Sequence, residues 1–182
     1  MQPQYALVAY VRNSVGEFVE SLRRELHPEH AHLPAHISIL PPRFLTGTED
    51  DALQLLAEVC RGVEPFQVVM GEVQTFLPTT PTVFIRVAHA AYRVRELHDR
   101  LNTGALLYEE PWPFMPHLTL FKMNTNEQAR ESMSTAIRLW GEYAGTRQIQ
   151  IDQLTFVRAG GAADRWLDIA PIPLGHRLAT AR

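Results

Sequence analysis

Apolar residues along the chain follow the spacing of strands in some segments and the spacing of helices in others. Residues 4 to 12, QYALVAYVR, are mostly apolar and predict a buried strand. Residues 14 to 26 carry apolar side chains at helical spacing between Phe18 and Leu26, which predicts an amphipathic helix. The chain therefore begins with a strand followed by a helix.

The next segment predicts a second strand and a second helix. Residues 35 to 40, AHISIL, alternate between the two faces of a strand that we expect Pro41 and Pro42 to end. Thr46 and Glu49 have the spacing of a capping box, and they predict the start of a helix that runs to about residue 61.

The rest of the chain continues to alternate between the two spacings. Segments rich in β-branched residues predict strands, and apolar residues three and four positions apart predict helices. The predicted elements are strands at 65 to 76 and 82 to 89, a helix at 90 to 106, a strand within 114 to 123, a helix at about 126 to 140, and strands at about 146 to 158 and 166 to 172.

These elements occur in the same order twice, as strand, helix, strand, helix, strand. One unit covers residues 5 to 76 and the other covers residues 82 to 158, and a last strand follows at about 166 to 172. We therefore expect an α+β fold that forms a single bilobal domain over residues 1 to 182. Its two pseudo-symmetric lobes would each have an antiparallel sheet with outer helices, and a cleft would lie between them.

Composition narrows the class of protein. The apolar fraction of 46% and the charged fraction of 20% are those of a soluble globular protein. We see no stretch long enough to span a membrane and no signal peptide, so we expect a cytoplasmic protein without membrane partners. A net charge of −3 argues against binding a long nucleic acid, and the single cysteine, Cys60, is expected to be a buried thiol.

Two similar phrases carry the candidate chemistry. LPAHISILPP contains His36 and Ser38, and FMPHLTLFKM contains His117 and Thr119. Alternate residues of a strand point to the same face, so each strand would present an imidazole and a hydroxyl on one face and aliphatic side chains on the other. The two histidines are 81 positions apart, which is about one repeat unit. If both polar faces line one cleft, two histidines and two hydroxyls come together.

Such a set suits acid–base chemistry at a phosphate. A neutral imidazole can accept a proton from an attacking oxygen, while a protonated imidazole gives a proton to the leaving oxygen. The hydroxyls can donate hydrogen bonds to phosphate oxygens or orient a histidine. This chemistry requires no metal and no cofactor.

The sequences HISI and HLTL, with their spacing and the repeated elements, resemble the two-histidine (2H) phosphoesterase superfamily, which includes 2'-5' RNA ligases and cyclic phosphodiesterases. The resemblance implies a bilobal fold with a central active site and metal-independent action on 2',3'-cyclic phosphates or 2'-5' linkages of nucleotides or RNA ends. It also implies that His36 and His117 are the general acid and base, in an order that the sequence leaves open. Ser38 and Thr119 would hold the phosphate.

Four further residues are weaker candidates. The family often has an arginine shortly after the second motif, where this chain has Lys122, and Arg43 follows the first motif closely. Either cation could bind the phosphate, although both could equally be surface charges. Phe44 and Phe114 lie near predicted strand ends and are candidates for stacking on a nucleobase.

One alternative is set aside at this point, and two stay open. The segment HPEHAHLPAH is rich in histidine, but His30 and His32 lack the spacing of a known metal motif, so no metal site is predicted. The same four side chains would serve a reversible 2'-5' RNA ligase, or a non-catalytic module that binds a nucleotide or an RNA end. The sequence does not fix the oligomeric state, and a monomer is the working expectation.

Overall fold

The structure, a computed structural model, describes residues 2 to 160 and 165 to 175. Within these ranges the fold contains eight strands and four α-helices, together with short 3-10 helices at Pro28–His30 and Gly104–Leu106. In chain order the elements are β1 (Tyr5–Tyr10), α1 (Ser14–Leu26), β2 (His36–Arg43), α2 (Glu49–Arg61), β3 (Phe66–Thr75), β4 (Thr82–His89), α3 (Ala91–Leu101), β5 (His117–Lys122), α4 (Asn126–Glu142), β6 (Gln148–Ile151), β7 (Gln153–Ala159) and β8 (Trp166–Pro173).

All eight strands form one curled antiparallel sheet in the order β6-β3-β4-β5-β2-β1-β7-β8. The predicted α+β class with antiparallel strands is therefore confirmed. Each half of the sheet has four strands, and the two halves join where β2 pairs with β5, with Ile37 opposite Leu118. The two sheets that we expected to face each other are thus continuous through the two histidine-bearing strands.

The halves of the sheet are not the halves of the chain. β3 pairs with β4, the first strand of the second unit, and β7 pairs with β1, the first strand of the first unit. Two helices also cross over, because α1 contacts β5 and α3 contacts β2. Strands and helices of each unit therefore pack against elements of the other unit, and both units share one core.

The four helices cover one face of the sheet, and their buried side chains pack on the apolar residues of the strands. Val19 and Leu22 of α1 and Leu56 of α2 are among the buried residues of this core. Val94, Leu97 and Leu101 of α3 are buried as the helical spacing predicts. We call the opposite face of the sheet, which the helices do not cover, the open face.

Glycine allows the start of α1 to lie against the end of β1. A Cβ added at Gly16 would overlap the carbonyl oxygen of Val11. Because a backbone oxygen cannot move aside as a flexible side chain can, this close approach requires glycine.

Some predicted boundaries differ from the structure. The capping box of α2 is formed by Thr48 and Asp51, and the prediction of Thr46 and Glu49 is wrong. The Thr46 hydroxyl instead donates a hydrogen bond of 2.7 Å to the carbonyl of Gly104. Ile137 of α4, although apolar, is exposed.

The prediction that Pro41 and Pro42 end the second strand is also wrong, because β2 continues to Arg43. Proline lacks an N–H donor, so a strand tolerates it where the ladder is irregular or incomplete. β2 meets both conditions here, since its register against β1 shifts near Leu40 and its registered pairing with β5 is at Ile37.

Two other sequence observations concern burial and membranes. Cys60 is fully buried within α2, as expected, and burial raises the pKa of its thiol to about 11. Among the described residues, no helix combines the length and apolar character that crossing a bilayer requires.

Candidate active site

The register of the two central strands brings the four predicted polar residues together. Because Ile37 lies opposite Leu118 in an antiparallel pair, one step along each strand puts His36 opposite Thr119 and Ser38 opposite His117. All four side chains point to the open face and are half-buried. The two histidines thus occupy diagonal corners of a four-residue square. Strand spacing and rise place their Cα atoms about 8 to 9 Å apart.

Both imidazoles are anchored in the same way. Nδ1 of His36 lies 2.9 Å from the carbonyl oxygen of Pro34, and Nδ1 of His117 lies 2.7 Å from the carbonyl oxygen of Met115. A carbonyl oxygen only accepts hydrogen bonds, so each Nδ1 carries a proton and donates it. The neutral ring therefore has its lone pair on Nε2, which is the nitrogen left for chemistry.

The backbone explains why both anchors use the residue two positions earlier. The carbonyl of Ala35 accepts a hydrogen bond from the N–H of Val11, and the carbonyl of Pro116 accepts one from the N–H of Val87. In each motif the neighbouring strand therefore occupies the carbonyl just before the histidine. The carbonyl one position earlier stays free for the imidazole.

The two histidine strands also share an irregularity. The register of β2 against β1 shifts past Ile39, and the register of β5 against β4 shifts past Leu120. In both strands the next residue, Leu40 or Phe121, is buried as well. A shift of this kind turns the following side chain back toward the open face, and in β5 that residue is Lys122.

His117 sits among aromatic rings. Its ring centroid is 4.9 Å from that of Phe76 and 5.1 Å from that of Phe84, in edge-on arrangements. Burial is the main cause of the lowered pKa of His117; the hydrogen bond to the Met115 carbonyl opposes it, and the positive charge of Lys122 adds a smaller lowering. In the ligand-free protein the neutral form of His117 is therefore favoured.

His36 is shifted in the same direction. Burial is the largest cause of its lowered pKa, and the positive charges of Arg23 and His117 add to it, while the hydrogen bond to Pro34 opposes it. The two imidazoles are thus close enough to influence each other. An anion between them would favour protonation of one ring.

Arg23 is a residue of the site that sequence analysis missed. It lies on α1 with 3% of its surface exposed, and its guanidinium donates to the carbonyls of Leu33 at 2.6 Å, Thr119 at 2.6 Å and Leu120 at 3.0 Å. One side chain therefore ties the segment before His36 to the strand of His117. Helical spacing offered a signal, because Arg23 is four positions after the buried Val19 whereas Arg24 is on the solvent side of the helix.

Arg43 is placed differently from the prediction. Its side chain is buried, and its guanidinium donates to Pro41, Asn102 and Leu106 and forms an ion pair of 2.6 Å with Glu110. Its hydrogen bonds hold the chain around α3, on the helix side of the sheet. With its guanidinium occupied in this way, Arg43 is unavailable to a phosphate on the open face.

His98, in the last turn of α3, belongs to the same buried network. Its Nε2 lies 2.9 Å from Glu110, and its ring stacks on Phe114 at a centroid distance of 4.0 Å. Phe114 thus uses one ring face for packing against His98, and its role as a base platform stays a prediction.

Phe44 and Lys122 lie at different distances from the histidine pair. Phe44 is 44% exposed but is eight residues from His36. At about 3.3 Å per residue the two are more than about 20 Å apart along the strand, too far for a base whose phosphate lies between the histidines. Lys122 is exposed at the end of β5, and its charge acts on His117. It remains a candidate for phosphate contact.

A hydrogen-bonded pair flanks the square on one side and an ion pair on the other, and sequence analysis missed both. Tyr10 lies opposite His36, and its hydroxyl donates to Asp168 at 2.6 Å. Arg86 lies opposite His117, and its Nε donates to Glu72 at 2.8 Å. The two positions correspond in the repeat but differ in charge. The signal for Arg86 was a single charged residue inside the apolar run TVFIRVAH.

The open face beside Tyr10 is apolar. Ala6, Val8 and Val157 form a small buried cluster there, and Tyr10 and Trp166 pack against it. The first half of the site therefore has an apolar floor with Arg12 over the Tyr10 ring, and the second half carries Arg86 and Lys122 next to the aromatic rings around His117.

The remaining histidines have other surroundings. His27 contacts Ser132 through Nε2 at 3.0 Å, and its ring packs edge-on against Phe121. His89 is exposed, and His176 lies outside the described residues. In the described part of the chain, no three His, Cys, Asp or Glu side chains are arranged to hold a metal ion.

Comparison with known proteins identifies the family. Residues 11–163 match the sequence model of the 2'-5' RNA ligase superfamily. The chain belongs to this superfamily. The resemblance carried by the two histidine motifs is thereby confirmed.

Relatives and solved structures agree with this assignment. The chain is 27% identical over 118 residues to the putative phosphoesterase BH1439 of Halalkalibacterium halodurans, covering 64% of this chain and 68% of that protein. It is 24% identical over 119 residues to the putative phosphoesterase OB1230 of Oceanobacillus iheyensis, covering 64% of this chain and 69% of that protein.

The fold is shared with solved structures of low sequence identity. The crystal structure of E. coli LigT in apo form aligns with a TM-score of 0.66 at 14% identity, over 97% of this chain and all of the other. TT0787 of Thermus thermophilus aligns with a TM-score of 0.66 at 17% identity, over 96% of this chain and all of the other.

Proposed function

We propose that this protein is a phosphoesterase that opens a 2',3'-cyclic phosphate, or cleaves a 2'-5' phosphodiester, of a nucleotide or RNA end. The observation that carries the proposal is the matched anchoring of His36 and His117. Both rings donate Nδ1–H to a backbone carbonyl and keep Nε2 for chemistry on the same face of the sheet. Two identically prepared imidazoles suit a reaction that needs one base and one acid.

In the proposed hydrolysis, the cyclic phosphate lies over the square. One neutral Nε2 accepts a proton from water while the water oxygen bonds to phosphorus. The other histidine, protonated on Nε2, gives its proton to the ribose oxygen whose bond to phosphorus breaks. The attacking and leaving oxygens stand on opposite sides of phosphorus, and the histidines occupy diagonal corners, so the two geometries match.

The hydroxyls and the lysine have supporting roles in this proposal. Ser38 and Thr119 occupy the other two corners and can donate hydrogen bonds to the non-bridging oxygens. Lys122 adds a positive charge near His117 without the bidentate fork of an arginine. The phosphate itself raises the pKa of the histidine beside it, and this compensates for burial in keeping one ring protonated.

Proteins of the same fold support the choice of substrate class. E. coli LigT has been solved with ATP, with 3'-AMP, with NADP+ and with phosphate. We extend nucleotide binding to this chain because its open face has an apolar floor next to Tyr10 and cationic groups on the other side of the histidines. Acid and base come from side chains, so we propose a reaction that proceeds without a metal ion.

The test is turnover of 2',3'-cyclic nucleotides and short 2'-5' oligonucleotides in the presence of EDTA. We expect His36→Gln and His117→Gln each to reduce kcat by about 10²- to 10⁴-fold, because each removes one proton-transfer group. His89→Gln is the matched control, since His89 is exposed and lies outside the site. Equal activity of wild type and both site variants would refute the mechanism.

Two further outcomes would replace the proposal with another function. Nucleotide binding without turnover across the whole panel would favour a non-catalytic binding module. Joining of a 2',3'-cyclic end to a 5'-hydroxyl end, at a rate above hydrolysis, would favour a ligase. A kcat/KM profile that is flat from pH 5 to 9 would contradict a pair of one neutral and one protonated histidine.

A further inference from the structure

Arg86 is a cation on the open face that the proposed reaction does not use. It lies on β4 directly opposite His117 on β5, and residues opposite each other in antiparallel strands share a face. Its neighbours in the strand, Ile85 and Val87, are buried on the helix side. Arg86 therefore points to the same side of the sheet as the histidines, in a strand that is otherwise mostly apolar.

An ion pair holds the guanidinium of Arg86 away from the four-residue square. Its Nε donates to Glu72 Oε1 at 2.8 Å, and Gln74 donates to the same oxygen at 3.0 Å. Glu72 lies on β3, which is on the far side of β4 from the histidines. The hydrogen bond to Arg86 lowers the pKa of Glu72, so this carboxylate is charged at neutral pH. The guanidinium is thus drawn toward β3.

A register shift in β3 makes this contact. Met70 pairs with Val87 and Val73 pairs with Ile85, so Gly71 and Glu72 together face the single residue Arg86. An irregularity of this type redirects a side chain at one point of a ladder. Gly71 also lets the two strands approach closely, because an added Cβ would come within 2.9 Å of Ala88.

The position of the guanidinium sets its distance from the reacting phosphate. That phosphate would lie over the boundary between β2 and β5, and neighbouring strands are about 4.8 Å apart. A group over β4, or between β4 and β3, is therefore about 7 to 10 Å to the side. This is too far to contact the reacting phosphate itself. It suits a second phosphoryl group at the other end of the same nucleoside.

The donor geometry of Arg86 favours a phosphoryl group. Nε is occupied by Glu72, and among the described residues the two Nη nitrogens donate to no side chain or backbone acceptor. These nitrogens form a planar fork that binds two oxygens of one phosphate. The corresponding position in the other half is Tyr10, whose hydroxyl donates to Asp168 and whose ring lies 5.1 Å from the guanidinium of Arg12, so there the strand position itself carries no charge.

From this geometry we infer that Arg86 is a specificity-determining residue that binds a phosphoryl group on the 5' oxygen of the substrate, while the histidines act on the phosphate at its 2' and 3' oxygens. The inference rests on the proposed function for the place of the reacting phosphate. The 5' phosphoryl group can be a terminal monophosphate or the preceding phosphodiester of an RNA end. Both place an anion at the same oxygen.

The experiment measures how much a 5' phosphate improves binding, using ligands that do not turn over. Calorimetry compares a nucleoside 3'-monophosphate with the corresponding 3',5'-bisphosphate, and a dinucleotide with a 3'-terminal phosphate gives the phosphodiester case. We expect at least one of the two 5' phosphoryl groups to lower Kd about tenfold or more in the wild type. Arg86→Gln should reduce that ratio to about one and leave Kd for the 3'-monophosphate unchanged.

Arg86→Lys should restore part of the ratio, because it keeps the charge and loses the fork. Arg138→Gln is the control, since Arg138 is an exposed residue of α4 paired with Glu142. The inference would be overturned if neither 5' phosphoryl group changed Kd in the wild type. It would also be overturned if Arg86→Gln weakened the binding of all ligands by the same factor.

Cyclic phosphate turnover measured alongside separates the two proposals. If turnover needs both histidines but the ratio is near one, the proposed function stands and the role of Arg86 is wrong. If the wild type neither binds the 3'-monophosphate nor turns over any cyclic phosphate, both are wrong.

Discussion

Replacing Arg23 with methionine tests whether one buried side chain holds the two histidine motifs together. Methionine has a similar length but no donor, so the change leaves the carbonyls of Leu33, Thr119 and Leu120 without their present partner. Leaving a buried carbonyl without its donor costs about 1 to 3 kcal/mol. Some of that cost is offset, because burial of the guanidinium is itself unfavourable and lowers its pKa to about 10.

We therefore expect Arg23→Met to lower the free energy of unfolding by about 2 to 4 kcal/mol. Urea unfolding measures this loss, and Arg24→Met is the matched control. Arg24 is the adjacent residue on the same helix, is exposed, and donates to Ser21. The control should stay within about 0.5 kcal/mol of wild type.

A second measurement separates a role in the site from a role in stability alone. The charge of Arg23 lowers the pKa of His36 but is not among the causes of the shift at His117. Arg23→Met should therefore raise the pKa of His36 and leave that of His117 in place, as followed by NMR titration of the ring protons under folding conditions. The reasoning would be refuted if Arg23→Met lowered the free energy of unfolding by less than about 1 kcal/mol, or if it shifted the pKa values of both histidines equally.

Three further predictions follow from other parts of the structure. Folding lowers the pKa of His36 and of His117, so below about pH 6.5 the unfolded chain binds more protons than the folded one. The free energy of unfolding should therefore fall as the pH decreases. Replacing both histidines with glutamine should make the urea midpoint depend less on pH between about pH 5 and 7.5. Gly16→Ala should lower the free energy of unfolding by about 2 kcal/mol or more, because the new Cβ meets a backbone oxygen. Gly141 on α4 has open space around it, so Gly141→Ala should stabilise the protein by up to about 1 kcal/mol in the same urea assay. Cys60 should resist a thiol reagent until the protein unfolds, and full labelling of the native protein within seconds would contradict its burial.

The histidine strands could be predicted from sequence because their signal is local. Alternation puts His36 and Ser38 on one side and Ile37 on the other, and the structure keeps that arrangement. Arg43 was misplaced for a different reason. Its position is odd, like those of Ile37 and Ile39, so alternation itself places it on the helix side, whereas the prediction rested on its nearness to the motif along the chain.

Residues that act across the repeat could not be predicted in this way. Arg23 is on the helix of the first unit, but two of its three acceptors are in the strand of the second. Arg86 meets Glu72 only because β3 of the first unit pairs with β4 of the second. Both contacts depend on which strands are neighbours, and the order of elements along the chain does not determine that.

The exchange of strands between the units also explains how a repeated sequence can build an asymmetric site. Each histidine has an equivalent neighbour on the adjacent strand, Tyr10 for His36 and Arg86 for His117. Each neighbour is held by a carboxylate from farther out in the sheet, Asp168 on β8 for Tyr10 and Glu72 on β3 for Arg86. The common backbone fixes the two imidazoles in the same tautomer, which a concerted proton transfer requires. The side chains at these two positions differ, an uncharged phenol in one half and a guanidinium in the other. Under the proposed function, the symmetric backbone supplies the acid and base, and the asymmetric flanking pairs give the substrate one direction of binding.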